Sequence, residues 1–285
     1  MRIVLPIGRA VFTSIATLAL NSALQAHEDS ESGGLLHDEY SLGTTFSAPG
    51  VPGKWGPAVL GTGATVTWSI IDGGVSLNGA SYNGGSTYNG NSVGLGSFMT
   101  TFDYLGQIQA AFNAWSAVAN ITFQYVLDSG SAFNVFDSTT KPEPNIRIGA
   151  FPMGVSSSTL AVGYYPPNYT LPQKFLTGAG DIHLNSSKQW QIGYAGDGAF
   201  DLFQVISHEI GHAIGLGHSA TSGALMYAFY SESFSGPQTD DANGARYLYG
   251  ELGLTQVAAV PEGGTWFAGL LITVGGLRLW HSRRR

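Results

Sequence analysis

The stretch His208–Ser219, HEIGHAIGLGHS, constrains the fold of this 285-residue chain more than any other. His208 and His212 stand four apart, so on a helix their imidazoles leave one face a turn apart and can reach a single ion. Gly215, three residues on, suits a positive φ that ends the helix and turns the chain sharply. That turn brings His218 back as a third ligand. Three neutral nitrogens suit zinc and leave its fourth position open for water, the pattern of a catalytic site rather than a structural one. Glu209 neighbours His208 and can face that water without ligating the ion. Zinc lowers the water's pKa toward about 7 and polarises a carbonyl, while the carboxylate takes the proton and passes it to a leaving amine.

The surrounding pattern is mixed. Ile108, Ala111, Phe112, Trp115 and Val118 form one helical stripe. GATVTWSII (63–71), ITFQYV (121–126), NIRIGAF (145–151) and GDIHLN (180–185) read as strands. Asp201 is placed to cap the histidine helix, which runs through Leu202, Val205, Ile206, Ile210 and Ile214. PQTDDANGARYLYG (237–250) opens with Pro and two Asp, as a third helix should. Residues 72–98 hold eight Gly, five Ser and four Asn and are expected to be a long loop or loose hairpins outside the core.

Charge separates the chain into parts. Between residues 27 and 260 six basic residues face 18 carboxylates, a net charge of −12 that excludes nucleic acid as a partner. Residues 1–26 read as a secretory signal: Arg2 and Arg9, a short apolar run, then small residues for cleavage after Ala26. The exported chain has no cysteine, so its stability must come from packing and bound metal.

The complete His-Glu-x-x-His-x-x-Gly-x-x-His pattern, with Met226 in SGALMY eight residues beyond His218, resembles the metzincin zinc proteases and, within them, the matrixins. IQAAFNAWSAVANITF is similar to the matrixin first helix and strand, and PQTDDANGARYLYG to the closing helix. Ala228 stands where astacins and serralysins carry a tyrosine. The resemblance covers roughly residues 54–250. It implies an α+β fold, a twisted, mostly parallel five-stranded sheet with three helices, and zinc-dependent endopeptidase activity on a protein or peptide substrate. It makes Met226 an apolar floor under the zinc ligands. It also implies that the edge strand binds an extended peptide, here taken as GDIHLN. Gln204, with Tyr227 and Tyr230 in YAFY, falls around the pocket for the side chain after the scissile bond.

Three family features are missing. Matrixins carry a second, structural zinc, but only His183 stands at a matching place and Val162 occupies another, so one zinc is expected. The family's calcium ligands align with Asn185 and Lys188, and a lysine opposes a hard cation, which leaves calcium open. The absence of cysteine excludes latency through a propeptide thiolate.

The reading is therefore a signal (1–26), a short segment (27–53), a matrixin-like catalytic domain (54–252) and a tail (253–285). In the tail, VPEGG, an apolar run and terminal arginines resemble the PEP-CTERM sorting signals, implying transient inner-membrane anchoring before release to the surface. A monomer is expected. The alternative is a non-catalytic surface-binding module that retains the zinc helix, and a hydrolase of small amides is a third option. Glu209 separates the first two, because a module that only held zinc would not need it.

Overall fold

In Ala64–Ile70 the buried Val66 and Trp68 alternate with the more open Thr65 and Thr67, the period of a strand with one face on a core. The computed structural model describes residues 35–37 (backbone), 53–82, 86–133, 135, 144–167, 177–196 and 198–253. The elements, in chain order, are β1 (Leu35–His37), β2 (Ala64–Ile70), β3 (Ala80–Tyr82), β4 (Ser86–Tyr88), α1 (Tyr104–Ser116), β5 (Ile121–Tyr125), β6 (Ile146–Phe151), β7 (Thr159–Gly163), β8 (Ile182–Asn185), β9 (Trp190–Gln191), β10 (Phe200–Asp201), α2 (Leu202–Ala213) and α3 (Thr239–Tyr249). The chain divides into units 1–252 and 253–285, and the fold described is that of the first.

The sheet order is β1-β7-β8-β6-β2-β5. β2 runs parallel to β5 and β6, β6 parallel to β8, and β7 reverses, pairing Val162 with His183, with β1 running parallel to β7. The expected five strands and three helices are present, and the three-residue β1 adds a sixth strand alongside β7. The expectation that GDIHLN is the domain's edge strand is wrong. β8 lies between β6 and β7, and β7 (TLAVG) is the outer strand of the five. Every residue of β6, β7 and β8 is buried, so none shows the alternation by which sequence distinguishes an edge strand from a central one.

Helices α1 and α2 cover one face. Their seam is fixed by the Trp115 indole N–H, which donates to the Ser207 carbonyl at 2.8 Å, and it closes over Val66, Trp68, Ile146 and Ile148. The other face is covered by part of the 72–98 stretch, which corrects its reading as a segment outside the core. Hairpin β3–β4 sets Tyr88 in a stack on Phe151, ring centroids 4.6 Å apart, with Leu77 and Ala80 buried beneath. Ser81 and the Tyr164 hydroxyl exchange two hydrogen bonds at 3.1 Å. The few apolar residues of this stretch do the packing.

His183 stands in the middle of that second cluster. It is fully buried, with the rings of Phe133, Phe151 and Tyr164 at 5.0–5.5 Å, and among the described residues neither imidazole nitrogen has a hydrogen-bond partner. Burial, with the Arg147 guanidinium nearby, pushes its pKa down to about 3. Such a histidine is protonated in the unfolded chain below about pH 6.5 but stays neutral in the fold, so stability is lost as pH falls through that window. Replacing it with Leu should remove up to about 1.4 kcal/mol of that loss per pH unit between pH 6 and pH 4. Denaturant unfolding of both proteins across that range tests this, and identical slopes would contradict it.

Candidate metal centre

Helix α2 begins where Asp201 caps it, the carboxylate accepting the Gln204 N–H at 2.7 Å. His208, Glu209 and His212 are fully buried on it. Gly215 ends it at φ 108°, and a Cβ there would stand 2.3 Å from the Gly53 carbonyl oxygen, so both torsion and space require glycine. The chain then returns, and the Ser219 N–H donates to the Met226 carbonyl at 2.7 Å, fixing the residue after His218 against the methionine turn.

The three imidazoles meet. Each offers a nitrogen within 4.8 Å of the others, and Nε2 of His208 and Nε2 of His212 lie 3.1 Å apart. Nδ1 of His208 lies 2.7 Å from the Leu225 carbonyl, and Nδ1 of His212 lies 2.7 Å from the Leu216 carbonyl. A carbonyl only accepts, so each Nδ1 carries the proton and each Nε2 turns a lone pair inward, the tautomer a metal requires. Burial, reinforced by His212 and His218, drives the His208 pKa well below its ordinary value and keeps the ring neutral. This donor set fits zinc. Among the described residues it is the one cluster of three or more potential metal ligands, and His183 is not part of it.

Met226 packs against the helix that carries two of the ligands. A Cβ on Gly211, between the two helical histidines, would stand 2.2 Å from the Met226 sulfur, so the thioether packs directly on the helix backbone. Of the remaining predicted residues, Gln204 lies on α2 and Tyr230 touches its cap. Gln204 is buried, and its carbonyl oxygen accepts the Gly236 N–H at 3.2 Å. The Tyr230 hydroxyl accepts from the Asp201 N–H at 2.9 Å, and its ring packs edge-on against Phe200. Tyr227 is half-buried beside Phe229, ring centroids 5.5 Å apart.

Two contributors escaped the sequence reading. Gly163 on β7 presses against α2: a Cβ there would stand 2.9 Å from a Glu209 carboxylate oxygen and 2.7 Å from the Glu209 carbonyl oxygen. Asp241, taken only as a helix-start residue, accepts from Leu225 N (2.7 Å), Met226 N (2.9 Å) and Gln238 N (2.7 Å). Burial pushes its carboxyl pKa above the ordinary value against those three donors. Its place at the third position of α3 is a capping signal, but nothing local ties it to a turn fifteen residues upstream.

Since Leu225 also holds His208, Asp241→Ala should weaken zinc binding by about 10–100-fold, as loss of an outer support typically does. Competition with a chromophoric chelator measures this, and wild-type affinity would refute the link. Metal analysis of the folded protein should find one zinc per chain, while two would return His183 to the ligand set.

The family model for matrixins matches residues 96–250, which contain the whole centre. The chain is 30% identical over 155 residues to mouse matrix metalloproteinase-25, aligning half of this chain with 22% of that protein. It is 32% identical over 158 residues to karilysin of Tannerella forsythia, 54% of this chain and 30% of that protein. To the hatching enzyme of Paracentrotus lividus it is 33% identical over 150 residues, 52% of this chain and 23% of that protein. The chain thus spans less than a third of the length of each of these relatives. With its three histidines converging under a methionine turn and the model matched across more than half its length, the chain belongs to the matrixin family.

Proposed function

We propose that the protein is a zinc endopeptidase that cleaves extended segments of protein substrates. The observation that carries this is the contact between Gly163 and Glu209, which sets a carboxylate beside the outer strand of the domain and next to the three histidines. A peptide laid along β7 gains main-chain hydrogen bonds and brings its carbonyls to that carboxylate. In the full chain it takes the place of β1. Zinc, held by His208, His212 and His218, would polarise the scissile carbonyl and acidify a water. Glu209 accepts the water's proton at its carboxylate and delivers it to the departing amide nitrogen. Gln204, Tyr227 and Tyr230 border the pocket for the residue after the scissile bond. In support, Gln204 ties α2 to Gly236 and Tyr230 ties the 227–230 stretch to the start of α2. The site uses one zinc, with Met226 as its floor.

Export and sorting rest on sequence. We read 1–26 as a secretory signal and the tail from 253 as a PEP-CTERM-like signal that anchors the chain briefly in the inner membrane before release as a monomer. Residues 1–26 and 254–285 lie outside the described residues. Among the described residues no helix is long and apolar enough to cross a membrane. Intact-mass measurement of the surface or secreted form should find the chain cut between Pro261 and Gly264, and a mature protein ending in Arg285 would rule the processing out.

Cleavage of a heat-denatured protein, with the fragments sequenced, tests the enzymology. Glu209→Gln should lower kcat by about 10²–10⁴-fold with zinc still bound. Wild-type turnover in that variant would remove Glu209 as the general base, and failure of the wild-type protein to cleave at all would leave the binding-module reading standing. In the same assay Gln204→Leu should shift the preference after the scissile bond toward longer apolar side chains, and an unchanged profile would remove Gln204 from the pocket.

A further inference from the structure

The loop 152–158, PMGVSSS, leads directly into β7 and contains no carboxylate. Two side chains from the end of β8 and the turn after it hold its backbone. Asn185 is fully buried and uses its whole hydrogen-bonding capacity on this region. Its carbonyl oxygen accepts from Met153 N (3.1 Å) and Ser187 N (3.0 Å), and its amide donates to the Gly154 carbonyl (3.3 Å) and the Thr159 carbonyl (2.9 Å). Thr159 is the first residue of β7. The Lys188 ammonium donates to the Val155 carbonyl at 3.0 Å and to the Ser157 carbonyl.

Two backbone carbonyls converging on one positive charge are the oxygen type that lines a hard cation's cage, but they fall well short of the six to eight ligands calcium takes, and here they are met by an ammonium on the chain's own stem. A calcium ion in the same cage would lack a carboxylate from the loop and would meet a like charge a few ångströms away. The donor set does not fit calcium. It fits the lysine.

We infer that Lys188 is the built-in cation of this loop, acting with Asn185 as a positioning residue that fixes the start of β7 and frees the fold from calcium. The positioning half rests on the proposed function, because it takes β7 as the strand that receives substrate. The calcium half does not.

The test uses the mature protein with zinc held constant, measuring thermal unfolding and peptide-cleavage kinetics with calcium removed by dialysis or added at millimolar level. Wild-type Tm should be the same in both buffers, and a rise with calcium would overturn the inference. Lys188→Met should lower Tm by about 3–6 °C, as expected for losing charge-assisted hydrogen bonds in a domain of this size. An unchanged Tm would show that the ammonium holds nothing. Lys188→Asp, which offers the cage a carboxylate, should regain Tm only when calcium is added, and indifference to calcium would deny that the lysine stands in a cation's place. Lys188→Met should raise KM several-fold while kcat stays within about twofold, and Lys188→Arg should restore KM. A fall in Tm with an unaltered KM would confine the lysine to stability and overturn its positioning role. If the protein cleaves nothing, the zinc-protease reading fails while the three Tm comparisons still decide the calcium half.

Discussion

One buried carboxylate joins the parts of this centre. Asp241 takes the N–H groups of Leu225 and Met226 from the methionine turn and that of Gln238 from the start of α3. Hydrogen bonds to a charged acceptor are each worth about 1.5–3 kcal/mol net, enough to hold a loop that has no regular structure of its own. The consequences spread outward from the turn. Its Leu225 carbonyl sets the tautomer of His208, its Met226 carbonyl holds the residue after His218, and its Met226 side chain packs on Gly211. Without the carboxylate, two ligands and the floor lose their common reference.

The far end of α2 is secured by different means. A helix leaves its last carbonyls without partners, and here two side chains supply them. The Trp55 indole donates to the Ala213 carbonyl at 2.8 Å and the Tyr249 hydroxyl to the Ile214 carbonyl at 2.7 Å. The Trp55 N–H in turn donates to the Tyr249 hydroxyl at 3.0 Å. The segment before β2 and the end of α3 therefore meet beneath the turn at Gly215. This explains why nothing larger than glycine fits there and why His218 returns to one place.

How far all this could be read from sequence depended on the range of each interaction. The histidine spacing, the Asp201 cap and the break at Gly215 are local, and all three are present as read. The stripe Ile108–Trp115 identified α1 because one face of that helix meets the core and the other meets solvent. β7 escaped because both its faces are covered, and with it went the correct edge of the sheet and the contact between Gly163 and Glu209. The packing of the 80–88 hairpin was hidden by composition: its glycines and asparagines suggested a long loop or loose hairpins outside the core, while Leu77, Ala80, Tyr82 and Tyr88 carry its packing. Asp241 was visible as a capping residue, but its bond to the methionine turn is a tertiary fact that no local pattern encodes.

Positive charge among the described residues is put to one common use. All four basic residues among those described bond inward to backbone carbonyls or to buried carboxylates. Lys54, fully buried, donates to the carbonyls of Trp55 and Pro57. Arg147, only 2% exposed, makes a two-pronged bond to Asp128 with Asp181 3.7 Å away. Lys188 closes the loop before β7, and Arg246 donates to the Val118 carbonyl at 2.8 Å. Each ties together segments distant in sequence or pins an irregular loop, work that exported domains of this size commonly give to disulfides or ions. In the buried Arg147–Asp128 pair, removing one partner strands a charge and costs about 3–5 kcal/mol, so that contact specifies the arrangement even where its net stabilisation is small. Among the described residues, Asp72, Asp103, Glu232, Asp240 and Glu251 face solvent. The resulting negative field discourages anionic polymers.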